Sequence, residues 1–166
     1  MGWNVVCMDQ SIMLYESTAR RVWFVKGERP VRKVTGSHSK TYLFGALSPD
    51  KRQLFRQKKA INSETTKEFL KDAKRKFGKF ILFLDKATWH YKSNDIKEFF
   101  DENRDCIKPV YFPTAAPELN PVEESWRQIG DEFVRLPKNV SEFRRKVSEV
   151  MRKKRYNLDI VKYLCQ

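Results

Sequence analysis

Cysteine and histidine are scarce in this sequence. Three cysteines (Cys7, Cys106 and Cys165) and two histidines (His38 and His90) are scattered over 166 residues, with no Cys-x-x-Cys pair among them. An odd and dispersed set offers neither a disulfide framework nor a zinc site, and a cytoplasmic setting is the expectation that follows. Long apolar runs are lacking too. The longest is about Phe80 to Leu84, far short of the roughly 20 residues a membrane-spanning helix requires, so no membrane association is expected. The first residues show no charged start, apolar middle and cleavage site, since only four apolar residues separate Asn4 from Asp9, and no secretory leader is read there. Acidic residues are the minority: 21 Asp and Glu stand against 34 Lys and Arg, a net charge of +13. That imbalance implies a polyanionic partner, and nucleic acid is favoured because the basic residues sit among elements of soluble type. With 40% hydrophobic and 13% aromatic residues, the length suits one domain over 1–166 with a proper core.

Along the chain, strand and helix signals alternate. Trp3 to Met8 is apolar and partly β-branched and ends in Asp9, which places that acid at a strand end. Ile12 to Tyr15, Arg21 to Val25 and Thr41 to Leu47 are further strand candidates, separated by Lys26-Gly27-Glu28-Arg29-Pro30 and Ser48-Pro49-Asp50, which carry turn chemistry. Ser63 is placed to cap a helix from about Glu64 to Lys76, with Phe69, Leu70, Ala73 and Phe77 at helical spacing and Gly78 as its stop. Phe80 to Leu84 has the unbroken apolar character of a central strand and again ends in an aspartate, Asp85. A helix over Asn94 to Glu102, a strand over Lys108 to Phe112, and a helix capped by Asn120 with Pro121 at its first position follow. Val122, Trp126, Ile129 and Phe133 form the apolar stripe of that last helix, and Glu123 falls in its first turn. A final helix from Ser141 to about Lys154 turns Phe143, Val147, Val150 and Met151 inward. Hairpins followed by alternating helices and strands describe an α/β layered sheet with antiparallel and parallel parts.

Asp9, Asp85 and Glu123 are candidate partners in metal-dependent phosphoryl chemistry. Such chemistry needs hard oxygen ligands from different elements converging on two ions about 3.5–4 Å apart. If the strands bearing Val5 and Leu82 are parallel neighbours, Asp9 and Asp85 emerge side by side at one sheet edge. Singly, each acid has an ordinary explanation, because a strand-ending aspartate is often a turn former and Asn120-Pro121-Val122-Glu123 has capping-box spacing.

The surrounding segments are more specific. Ala116-Pro-Glu-Leu-Asn-Pro-Val-Glu123-Glu-Ser-Trp126 resembles the Ser-Pro-Glu-Leu-Asn-Pro-Ile-Glu-x-x-Trp signature of the mariner-like transposase superfamily, in its prokaryotic insertion-sequence branch. Asp85-Lys-Ala-Thr-Trp-His90 is similar to that family's Asp-Asn-x-x-x-His motif, with Lys86 where the family has asparagine. Met8-Asp9-Gln10 and Trp23-Phe-Val-Lys-Gly27-Glu-Arg-Pro30 resemble its first-acid segment and the Trp-x-x-x-Gly-x-x-Pro that follows. Residues 86 to 122, 37 in all, separate the second acid from the third, in keeping with the family's spacing. The resemblance covers about Asn4 to Phe133. It implies an RNase H-like fold with a mixed five-stranded sheet, strands 1-3 antiparallel and 1-4-5 parallel, flanked by helices. It also implies Asp9, Asp85 and Glu123 as ligands of two Mg2+ (or Mn2+) ions, with DNA cleavage followed by strand transfer as the activity. His90, Lys86 and Glu124 are auxiliary candidates: His90 to orient a phosphate or water, Lys86 to touch a phosphate or else repel the cations, Glu124 to favour the helix N-terminus or to rival Glu123.

Basic residues concentrate over Lys51 to Lys79 and Arg144 to Arg155. A solvated helix face explains any one of them. Collectively Lys58, Lys59, Lys74, Arg75, Arg144, Arg145, Arg152 and Lys153 suit neutralisation of DNA phosphates without base reading. The resemblance further implies transposon ends and target DNA as partners, a homodimer on DNA, and a nucleoid-associated prokaryotic setting. Family members carry a helix-turn-helix module upstream; the expectation here is that it is absent from this chain and supplied by a separate polypeptide, or that the chain is a remnant.

Overall fold

The computed structural model describes residues 2–16, 25–27, 35–86, 93–114, 116–133 and 137–164. Five strands form one sheet: β1 (Asn4–Leu14), β2 (Lys40–Leu47), β3 (Gln53–Lys58), β4 (Phe80–Leu84) and β5 (Ile107–Tyr111), in the spatial order β3-β2-β1-β4-β5. β1 is antiparallel to β2, and β2 to β3, whereas β4 is parallel to both β1 and β5. The expected mixed five-stranded sheet and its order are therefore observed.

One expectation about β1 is corrected. Asp9 does not end a strand, and Ile12 to Tyr15 is not a separate one, because β1 runs unbroken for 11 residues. What stops after Cys7↔Phe83 is the parallel ladder with β4; pairing with β2 continues from Cys7↔Leu47 to Leu14↔Lys40. Ladder hydrogen bonds come from the backbone, so Asp9, Gln10 and Ser11 extend the strand despite their polar side chains. β3 lies in a stretch read only as basic. Its hairpin with β2 turns through Ser48 to Lys51, where Lys51 takes a positive φ of 65° and its N–H donates to the Ser48 carbonyl at 3.0 Å. The strand proposed over Arg21 to Val25 falls almost wholly outside the described residues.

Side chains alternate between the two sheet faces, and each face is covered by helices. On one side Val6, Met8, Phe44, Phe80 and Leu82 pack with Phe69, Leu70, Ala73 and Phe77 of α1 (Ser63–Phe77) and Ile96, Phe99 and Phe100 of α2 (Asn94–Glu102). On the other, Cys7, Leu43, Leu47 and Phe55 meet Val122 and Ile129 of α3 (Pro121–Asp131) and Phe143, Val147 and Met151 of α4 (Val140–Lys153). A short helix, α5 (Ile160–Leu164), adds Ile160 to that second layer. Val150 is only partly buried, at the margin of α4's apolar stripe.

The cap of α1 is Asn62, one residue before the expected Ser63. Its Oδ1 accepts from the Thr65 N–H at 2.9 Å while its own N–H donates to Thr65 Oγ1 at 3.1 Å, a reciprocal pair that residue spacing allows only from position 62. Asn62→Ala is expected to cost about 1 kcal/mol, measured as a shift of the urea unfolding midpoint at constant slope.

Candidate active site

Asp9 and Asp85 each lie two residues beyond the last parallel pair, Cys7↔Phe83. Their carboxylates therefore emerge at one level just past the end of the β1–β4 parallel ladder, in mid-strand for Asp9 and directly after β4 for Asp85, on the face that Cys7 and Phe83 share with α3. Glu123 arrives from the first turn of α3. Asp9, Asp85, Lys86 and Glu123 line one cavity of about 320 Å3, with Asn120, Phe112, Pro113, Thr114, Ala116 and Pro117 forming its wall. Asp9 is buried at 9% exposure, whereas Asp85, Lys86 and Glu123 open to solvent.

The electrostatics follow from this placement. Burial, and then the neighbouring Glu123 charge, push the Asp9 carboxyl up to about 7; hydrogen bonds from the Trp126 indole and the Gln10 backbone oppose the rise, and Asp85 adds to it. Burial and Asp85 raise Glu123 as well. A buried carboxyl raised in part by its two acidic neighbours, beside a glutamate that is raised too, marks a site where positive charge is stabilised. Glu124 is engaged elsewhere. It pairs with Arg127 at 2.5 Å and accepts from Gln128 at 2.9 Å, and the Arg127 guanidinium, followed by the Gln128 amide, holds its carboxyl down at about 2. Between the two adjacent glutamates, only Glu123 faces the cavity.

The donor set, carboxylate oxygen without sulfur, suits a hard divalent cation such as Mg2+ or Mn2+. Among the described residues, no three His, Cys, Asp or Glu side chains are gathered closely enough to hold a single ion; the acids share a cavity rather than a finished coordination shell. His90, Trp23 and Pro30 lie outside the described residues.

Two polar contacts tie α3 to β1 around this site. Trp126 Nε1 donates to Asp9 Oδ2 at 2.6 Å. Asn120, expected only to cap, does accept from the Val122 N–H at 3.2 Å, but its Nδ2 also donates to the Met8 carbonyl at 3.1 Å. Sequence reasoning assigned Trp126 to the apolar stripe and missed its polar role. The available signal was its position three residues after Glu123, one helical turn on, on the same face.

The eight basic candidates divide by location. Lys58, Lys59, Arg144 and Arg145 line one surface groove. Arg75 and Arg152 line its neighbour, and Gln57 and Ser148 border both. Lys74 and Arg75 line a third groove between α1 and α2, where Lys74 Nζ donates to Asn103 Oδ1 at 2.8 Å. Lys153 pairs with Glu149 at 2.5 Å along α4.

The family model described as DDE superfamily endonuclease matches residues 4–144. This chain belongs to that family. The matched span takes in all three acids and all five strands of this DDE endonuclease. Among solved structures, the chain is similar to the Mos1 transposase paired-end complex with left transposon end, with TM-score 0.69 and 14% identity over 96% of this chain and 50% of that one. The mariner Mos1 paired end complex with Mg gives a TM-score of 0.74 at 13% identity over 97% of this chain and 52% of that one. The catalytic core domain of BIV integrase gives 0.56 at 13% identity, covering 95% of this chain and 88% of that one. These likenesses establish the fold as that of transposase and integrase catalytic domains. The chain spans about half the length of the Mos1 transposase chains it matches. No curated protein sequence matches it significantly. No helix among the described residues is long and apolar enough to cross a membrane.

Proposed function

We propose that this DDE endonuclease is the catalytic domain of a DNA transposase, which cuts DNA and joins the freed 3′ hydroxyl to a target strand, with Asp9, Asp85 and Glu123 as its divalent-cation ligands. The observation that carries the reading is the placement of Asp9 and Asp85 at one level, each two residues beyond the last pair of the β1–β4 parallel ladder, lining the same cavity as Glu123. Two bound Mg2+ or Mn2+ ions would supply the positive charge that activates an attacking oxygen and stabilises a leaving one. The chain's own part is to hold its acids at a fixed spacing. Asp9 is set by β1 and the Trp126 indole, Glu123 by the capped start of α3, and Lys86 stands at the rim where a phosphate oxygen would approach. The grooves lined by Lys58, Lys59, Arg144, Arg145, Arg75 and Arg152 would carry duplex backbone, with Lys74 and Lys153 adding charge nearby. The motif resemblance also supports membership of the prokaryotic insertion-sequence branch, a dimer on paired ends, and end recognition by a helix-turn-helix module.

Incubating the protein with a DNA end bearing a free 3′ hydroxyl, Mg2+ or Mn2+ and a supercoiled plasmid tests the reading. Joined end–plasmid products are expected from the wild type and not from Asp85→Asn. Nicking without joining would point to an RNase H-like nuclease instead.

Lys86 motivates a second reading, a DNA-binding remnant, because its ammonium shares the cavity with the acids. A positive charge beside the ions opposes their binding. Lys86→Asn is expected to tighten Mn2+ binding about tenfold, the order of one unit charge acting across a hydrated site. Calorimetric titration would check this, and neither protein binding Mn2+ would favour the remnant.

A further inference from the structure

Asp9, Gly45 and Phe55 are successive cross-strand neighbours on β1, β2 and β3, so they share one sheet face. Gly45 is the one glycine of β2, and it has no positive φ to require it. Space requires it. A Cβ at Gly45 would lie 2.6 Å from Trp126 Cη2, 2.9 Å from Cζ2 and 2.7 Å from Phe55 Cε1. The indole thus occupies the volume that any other residue at position 45 would fill. Phe55 stands edge-on to it, with centroids 5.5 Å apart and planes at 87°. Behind Phe55 packs Tyr156 at 4.9 Å. Gln53 fixes the Tyr156 segment by donating to the Lys154 carbonyl at 2.7 Å and accepting from the Tyr156 N–H at 3.1 Å. The indole is confined from below by bare backbone and from the side by the Phe55 ring, which Tyr156 backs, and its N–H is aimed at Asp9 Oδ2 at 2.6 Å.

We infer that Trp126 is the positioning residue of the acidic site: its indole N–H holds the Asp9 carboxylate in the orientation that binds a divalent cation, and Gly45 and Phe55 hold the indole. The inference rests on Asp9 being a cation ligand, as proposed above. An indole N–H donates only and keeps its proton throughout the accessible pH range, so it constrains a carboxylate without competing for the cation. Because Trp126 and Glu123 lie one turn apart on α3, the same bond ties the strand carrying one acid to the helix carrying another. The Asn120–Met8 bond does so again on the other side of Glu123. Groups that orient a metal ligand typically matter 10- to 100-fold in affinity.

Two measurements test this. Trp126→Phe keeps an aromatic ring and removes the N–H; Mn2+ affinity by calorimetry is expected to fall at least about tenfold, with the melting temperature of the metal-free protein little changed. Independently, in the 1H–15N spectrum of the wild type, the assigned Trp126 indole signal is expected to lie downfield, to move upfield in Asp9→Asn, and to shift on adding Mg2+. This second measurement stands even if Trp126→Phe does not fold. Tight binding by the wild type, matched by folded Trp126→Phe, would overturn the inference alone, as would an indole signal indifferent to Asp9→Asn. Equal Mn2+ binding by wild type and Asp9→Asn would overturn the cation reading of Asp9, and the inference with it.

Discussion

Asp9→Asn is expected to make the metal-free protein more stable at pH 8 while lowering DNA cleavage by at least about 10^3-fold, the scale seen when one member of a catalytic constellation is removed. The stability gain follows from the Asp9 carboxyl being pushed up to about 7, first by burial and then by Glu123. In the unfolded chain that carboxyl titrates near 3.9. Between those values the folded protein keeps a proton that the unfolded chain has released, so folding stability declines as pH rises through the window and levels off above 7. At about 1.4 kcal/mol per unit, the full cost at pH 8 is on the order of 4 kcal/mol. Asparagine removes the charge and keeps an acceptor for the Trp126 N–H, so a gain of about 2–4 kcal/mol is expected at pH 8 and little change near pH 4. The facing groups that set the effect are Glu123, Asp85, the Trp126 indole and the Gln10 N–H, together with Lys86 at the cavity wall. Divalent cation at about 1,000 times its dissociation constant should offset or reverse the ranking, because it adds about 4.1 kcal/mol to the wild type alone. Thermal melts at pH 4 and 8, with and without Mg2+, read all of this. Equal pH 8 stability of the two proteins would show that the acids do not strain the fold.

Replacing Arg144, Arg145, Arg152 and Lys153 together by alanine is expected to weaken duplex binding about 10^3-fold at 0.1 M salt. The slope of log K against log salt should flatten by up to about 3.6 units, which is 0.9 for each phosphate no longer neutralised. All four lie on α4. Arg145 and Lys153 pair with Glu149, at 3.8 and 2.5 Å on the surface; exposed pairs of this kind contribute about 0–1 kcal/mol and yield readily to a phosphate. Alanine is the best helix former, and Phe143, Val147 and Met151 still anchor the helix, so the fold should persist. Fluorescence anisotropy of a labelled duplex across a salt series checks both quantities. Weaker binding with an unchanged slope would mean that these residues act through something other than phosphate neutralisation.

Much of this architecture is written locally in the chain. The helical spacing of Phe69, Leu70, Ala73 and Phe77 marked α1, and the apolar run Phe80 to Leu84 marked β4 to the residue. Asn120 followed by Pro121 announced the start of α3, and α2 fell over the predicted Asn94 to Glu102. The three acids were visible because each closes or opens such a pattern within an unusual string of residues. Where local signals failed, the backbone decided. β1 continued through Asp9-Gln10-Ser11 because β2 was there to pair with it. β3 was hidden because Arg56, Gln57 and Lys58 mask its pattern, while Leu54 and Phe55 alone are buried.

By itself, then, the sequence determined the longer helices and the central strand β4, the basic character of the surface and which acids were candidates, since hydrophobic period, caps and charge are properties of neighbouring residues. Only the tertiary structure decided which glutamate faces the cavity, that Asp9 is buried and raised, and that Gly45 clears a place for the Trp126 indole to reach it. Those facts join residues 9, 45, 55 and 126, on three strands and a helix. Side-chain contacts at such separations arise from sheet register and helix docking, which no local period encodes.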